Sequence, residues 1–150
     1  MEKTLKNIED PYKWSLETAE ALRAGDMSRI DMEELLNEIE SISGGLRREL
    51  ISVLREIVES LLVLEYANTT ANERQETDLR LTHAQGQLQL ILDASPSLSN
   101  ILADAVEKAY RDARQFVSED YEIPLPETCP IPLDRIVEDP YERLVVRDKT

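Results

Sequence analysis

Nine apolar residues, Leu46, Leu50, Val53, Leu54, Ile57, Val58, Leu61, Leu62 and Leu64, recur at helical intervals over about five turns. An α-helix gathers positions three and four apart onto one face, so this spacing predicts a long helix with one side out of water. Arg47, Arg48, Glu49, Arg55, Glu56 and Glu59 lie mostly off the stripe. Near Leu61–Leu64 the segment turns apolar all round. That is the pattern of a central helix covered on several sides, or of one that also meets another subunit.

A second stripe answers the first. Leu98, Ile101, Leu102, Ala105, Val106, Ala109, Tyr110, Ala113, Phe116 and Val117 mark another strongly amphipathic helix. Its alanines 105, 109 and 113 stand four apart, where small side chains let two helices approach closely. With one Phe and one Trp in 150 residues, the core must be aliphatic, which favours helix packing over a β-sandwich. The length suits one domain.

The remaining elements follow from their punctuation. After a charged lead, Asp10-Pro11 gives an N-cap and first helical residue, and Gly25 a left-handed stop, for a helix over 11–24. Asp31 with Glu34 starts another over 31–43, with Leu35, Ile39 and Ile42 on one face. Ser43-Gly44-Gly45 predicts a break before the long helix at 46–68. Thr70 and Glu73 spell a capping box for a more polar helix over 71–93, with Leu81, Ala84, Leu88, Ile91 and Leu92 inward. Gly86 weakens it unless a neighbouring backbone packs there. Ser95-Pro96 opens a helix over 96–119. From 121 to 150 the prolines at 124, 126, 130, 132 and 140 forbid a long helix. That arm is ordered only if Ile123, Leu125, Ile131, Leu133, Ile136 and Leu144 find grooves, with one helical turn at Asp134–Val137. The expected fold is all-α, a compact bundle of about five helices with a proline-rich C-terminal arm.

Charge narrows the functions. Asp and Glu number 31 against 17 Lys and Arg, a net charge of -14. Such a field repels phosphate backbones and anionic lipid, so neither nucleic acid nor membrane is expected as a partner. A protein partner or a homo-oligomer is. No apolar run approaches the roughly 20 residues of a membrane span. Cys129 is the only cysteine, so no intrachain disulfide forms, and the expected location is the cytoplasm.

No constellation of residues spells chemistry. His83, the sole histidine, lacks an evident orienting partner and reads as surface or interface packing. Arg80 stands where a di-iron bundle would need Glu three residues before it, and zinc would find only Cys129 and His83. Asp31, Glu34 and Glu38 read as solvated acids near a helix start, where they complement the helix dipole. Cys129, followed by Pro130, reads as a small apolar plug. Trp14 reads as the anchor of the first helix, and Tyr12, Tyr66 and Tyr110 as hydroxyls at helix seams. Phosphate loops, serine elbows and zinc-protease helices are absent. No catalytic, cofactor-binding or metal-ligating residue is assigned, and no cofactor is expected.

Several separated runs do resemble a family. They are Pro11-Tyr12-Lys13-Trp14, Thr18–Gly25, Asp31–Ile42, Arg48-Glu49-Leu50, Ser95–Leu98, Ala109–Arg114 and Glu127-Thr128-Cys129-Pro130. Together they resemble the bacterial family called domain of unknown function 29, common in cyanobacteria and found in proteobacteria. The resemblance spans nearly the whole chain and implies an all-helical protein, with no activity to transfer. It also marks this chain as divergent. Members commonly resemble His-Leu-Leu-Lys and then an aromatic, where this chain has Ser60–Leu64. Many carry a tryptophan and a basic patch in the next helix, where it has Thr77, Leu81 and His83.

The leading expectation is therefore a non-catalytic interaction or self-associating domain that uses the apolar helix around 57–66. The alternatives are a metal-dependent or acid-based hydrolase drawing on Glu34, Glu38 and Glu107, and an acidic, antitoxin-like partner of a basic protein.

Overall fold

The computed structural model describes residues 9–142, and these are helical with no strand among them. In order they form α1 (Pro11–Ala24), a 3-10 turn (Met27–Arg29), α2 (Met32–Tyr66), α3 (Ala71–Ala94), a 3-10 segment (Pro96–Ile101), α4 (Leu102–Asp120) and α5 (Leu133–Ile136). The all-α expectation holds. The chain divides into two compact units, Met1–Leu46 and Arg47–Thr150.

The first unit contains α1, the 3-10 turn and the start of α2. Asp10 caps α1 by accepting from the Lys13 amide, and Pro11 supplies a first-turn residue with no amide to satisfy. Gly25, at φ 69°, ends the helix in the left-handed conformation and donates back to it. Asp31 accepts from the Glu34 amide at 3.1 Å and so caps α2. The unit's interior is small: Thr18, Ala21 and Glu34 are its buried side chains among the described residues, with Trp14 and Leu35 half-buried.

The sequence predicts a break at Ser43-Gly44-Gly45, but α2 runs through it without interruption. Gly25 is the one described glycine with positive φ, so Gly44 and Gly45 keep φ values that a helix can use. Glycine taxes a helix by about 1 kcal/mol without forbidding it. The signal survives in another form, because the division between the units falls immediately after Leu46.

The second unit is built around the rest of α2. Leu50, Leu54, Ile57, Val58, Leu61 and Leu62 are buried together with Leu81, Ala84 and Leu88 of α3 and Ala105, Val106, Ala109, Tyr110, Ala113 and Val117 of α4. The alanine ladder is fully enclosed, as its spacing predicts, whereas Phe116 is 47% exposed and does not belong to that face. The Thr70–Glu73 capping box forms in both directions. The helix predicted from residue 96 begins instead as a 3-10 segment and becomes α-helical at Leu102. Ser95 makes no side-chain cap, and Ser97, Ser99 and Asn100 hold the helix weakly; the Ser99 hydroxyl turns back to the Pro96 carbonyl.

The proline-rich arm finds its grooves. Leu125, Ile131, Ile136 and Pro140 are buried, and Ile123, Cys129 and Val137 pack against the core. Leu133 stays exposed, and Leu144 lies outside the described residues. Polar latches set the arm's course. The Tyr110 hydroxyl donates to the Pro126 carbonyl, and Arg114 Nε to the Leu125 carbonyl at 3.2 Å. On α3, Gln85 Nε2 donates to the Arg135 carbonyl at 3.1 Å and Gln89 Nε2 to that of Val137 at 3.0 Å. These carbonyls end the one-turn helix α5 and would otherwise be orphaned. Arg135 also pairs with Glu65.

Candidate docking surfaces

The apolar run around 57–66 is not a surface. Ile57, Val58, Ser60, Leu61, Leu62 and Val63 are all buried within the chain's own second unit. Of the two readings that run allows, coverage on several sides is the one realised, and it cannot serve as a free docking patch. The Ser60 hydroxyl, which interrupts the run, is satisfied by the Glu56 carbonyl.

The first half of α2 does the opposite. Met32, Leu36, Ile39 and Ile42 are 43%, 51%, 55% and 65% exposed, and follow one another at steps of four, three and three. With about 100° between successive residues, these four plus Leu35 and Leu46 fall within roughly 120° of the helix circumference. This is the core-facing pattern of an amphipathic helix, turned to solvent. Contiguous exposure of this kind marks interaction sites, whereas scattered exposed leucines do not.

A cleft of about 760 Å³, lined by both apolar and polar residues, lies on α3 in the other unit. Leu79, His83, Gly86 and Leu90 line one side and Pro140 and Tyr141 the other. His83 is thus an exposed side chain on the rim of that cleft. Among the described residues no neighbouring backbone approaches Gly86: a Cβ added there would meet nothing within 4 Å.

The other residues singled out by sequence differ in exposure. Glu34 is buried, Glu38 half-buried and Glu107 exposed. Among the described residues no three His, Cys, Asp or Glu side chains are grouped so as to hold a metal ion. Cys129 is half-buried, its thiol 3.6 Å from the Ile131 carbonyl, and burial pushes its pKa up. A thiol so placed is a poor nucleophile and a good plug. The Tyr110 hydroxyl is likewise pushed up, first by burial. Tyr12 is exposed and Trp14 half-buried.

Sequence reasoning missed two glutamines. Gln85 is completely buried and Gln89 half-buried, four residues apart on α3, where they clamp the arm. Their spacing on the inward side of that helix was the available signal.

A family model described as "Domain of unknown function DUF29" matches residues 8–142. The chain belongs to that family. No curated protein and no solved structure matches it. In this DUF29 chain the matched span takes in both units, the exposed half of α2 and the clamped arm. None of the described helices is long and apolar enough to cross a membrane.

Proposed function

We propose that this DUF29 chain is a non-catalytic protein-interaction domain that docks through the first half of α2. One observation carries the reading: Met32, Leu36, Ile39 and Ile42 form a continuous exposed stripe on a regular helix. A hydrolase built on Glu34, Glu38 and Glu107 draws no support from their surroundings. The setting we propose is the cytoplasm of a bacterium, supported by the lone unpaired Cys129 and the family likeness. The departures at Ser60–Leu64 and at Thr77, Leu81 and His83 support treating the chain as a divergent member.

A photo-reactive amino acid placed at Ile39 in cells tests the surface. Discrete adducts are expected at Ile39 and not at the exposed Ala103 of α4. Adducts at a multiple of the chain's own mass would identify self-association. If Ile39 gives no more adduct than Ala103, the docking surface is wrong.

A further inference from the structure

We infer that the occupant of the α2 stripe is a basic amphipathic helix of a partner protein. The inference rests on the docking reading above and adds the chemistry of what docks. From Ile30 to Leu46 the chain carries five acids, Asp31, Glu33, Glu34, Glu38 and Glu40, and no base. On the helical wheel the apolar stripe has Asp31 and Glu38 along one edge and Glu33 and Glu40 along the other. An apolar seam bracketed by one sign of charge selects a helix with an apolar face and the opposite sign at its flanks.

The charge pattern also discriminates among occupants. Across residues 9–46 ten acids face three bases. Two of those bases are already committed inside the unit, Lys13 to Glu17 and Arg29 to Glu20. A second copy of the same helix would bring the acids that flank Met32–Ile42 against one another, and the one base on a stripe edge, Arg47, stands past Leu46 at the stripe's far end. Like charges brought together in an interface exclude a partner as effectively as complementary ones recruit one. An anionic lipid surface is rejected for the same reason. A lysine- or arginine-flanked helix buries the same leucines and isoleucines and also meets the acids.

The full-length chain is titrated with synthetic helical peptides that carry leucine at the a and d positions of several heptads. Lysine, glutamine or glutamate occupies the e and g positions. The lysine peptide is expected to bind and the glutamate peptide not to. Leu36→Ser with Ile39→Ser is expected to weaken lysine-peptide binding about tenfold or more, the loss of two buried aliphatic contacts. Both side chains are exposed in the free chain, and circular dichroism checks that the fold is kept. Glu38→Gln with Glu40→Gln is expected to weaken binding several-fold and flatten its salt dependence. Leu79→Ser with Leu90→Ser, in the α3 cleft, should leave binding unchanged. Lysine-peptide binding that ignores the Leu36 and Ile39 changes is diffuse charge attraction and overturns the inference. If the glutamine peptide binds as tightly as the lysine peptide and depends on Leu36 and Ile39, the docking surface stands and the basic partner falls. If no peptide binds while those substitutions abolish a homodimer, the occupant is a second copy, and the inference falls in that case also.

Discussion

The two halves of α2 share one unbroken run of helix and almost nothing else. Beyond Arg47 the helix is stabilised by burial, with Leu50, Leu54, Ile57, Val58 and Leu62 fully enclosed. Before Leu46 its apolar residues are just as well spaced, yet Met32, Leu36, Ile39 and Ile42 stand in water. Backbone hydrogen bonding continues through both, so helix continuity reveals nothing about where the core is. An isolated helix of that first half's length is marginal in water, and most helical stability in proteins comes from packing an apolar face. The first half carries such a face without packing most of it.

Side-chain truncation should break the symmetry of spacing most sharply. Leu54→Ala and Leu62→Ala are each expected to lower stability by about 2–5 kcal/mol, through lost transfer energy and the cavity left behind. Leu36→Ala and Ile39→Ala should stay within about 0.5 kcal/mol, as exposed positions do. Urea denaturation of the four variants checks this. Equal losses at Ile39 and Leu62 would mean that the first half is packed after all. Hydrogen exchange supplies the companion measurement: amides of residues 33–42 should open far more readily than those of 54–63, since sparse burial goes with low local stability.

Gln85 extends the contrast to polar burial. It is completely enclosed in the second unit, and its Nε2 serves the Arg135 and Ile136 carbonyls while its Oε1 is buried with no partner among the described residues. Gln85→Ala should cost about 1–3 kcal/mol, because one buried and one partly buried carbonyl lose their donor. Gln89→Ala, half-buried and serving only the Val137 carbonyl, should cost less. Thermal unfolding followed at Trp14 and by far-ultraviolet circular dichroism would separate loss in the second unit from events in the first. Indifference of both variants would show that apolar contacts alone seat the arm.

What could be read beforehand divides along the same line. Local signals were legible: Asp10-Pro11, Gly25, Asp31 and the Thr70–Glu73 pair each formed the cap their chemistry dictates. So was the composition of the core, down to the alanines of α4. Periodicity identifies a face but not its neighbour. Leu61–Leu64 and Leu36–Ile42 therefore looked alike in kind, although Leu61, Leu62 and Val63 are buried and Leu36, Ile39 and Ile42 exposed. The inward position of Gln85 could be read from its spacing, but its partners could not, because they are carbonyls some fifty positions away, contributed by an arm whose path no periodicity encodes.

Caps offer a finer comparison, since each unit has a helix started by a side chain. Thr70→Ala should destabilise by about 1 kcal/mol through loss of the α3 box. Glu73 is held below the usual carboxylate range, first by the Thr70 backbone amide and then by its hydroxyl. Its folded pKa lies below its unfolded one, so its contribution is complete above the unfolded value. That contribution is lost as pH falls through the lowered folded value. Glu73→Gln should therefore flatten the acid limb of the stability curve while leaving neutral pH less affected than Thr70→Ala. A wild-type and a Glu73→Gln curve of identical shape would remove the box from the account. Asp31→Ala, the corresponding loss in the first unit, should register mainly as faster exchange near Glu34.

The smallest effect is a difference of sign between one glycine in each unit. Gly25 sits at φ 69°, where any side chain is strained, so Gly25→Ala should destabilise the first unit by about 1 kcal/mol. Gly86 lies inside α3 with open space where a Cβ would go, so Gly86→Ala should raise stability by about 0.5–1 kcal/mol. The gain comes from restricting the unfolded chain, not from a new contact. Differential scanning calorimetry of the two variants measures both signs. A rise in melting temperature from Gly86→Ala with no change in peptide binding at the α2 stripe would separate stability in one unit from recognition in the other. Should Gly86→Ala destabilise instead, something must approach α3 at the cleft beside His83 and Leu90, and that cleft would become a rival to the α2 stripe.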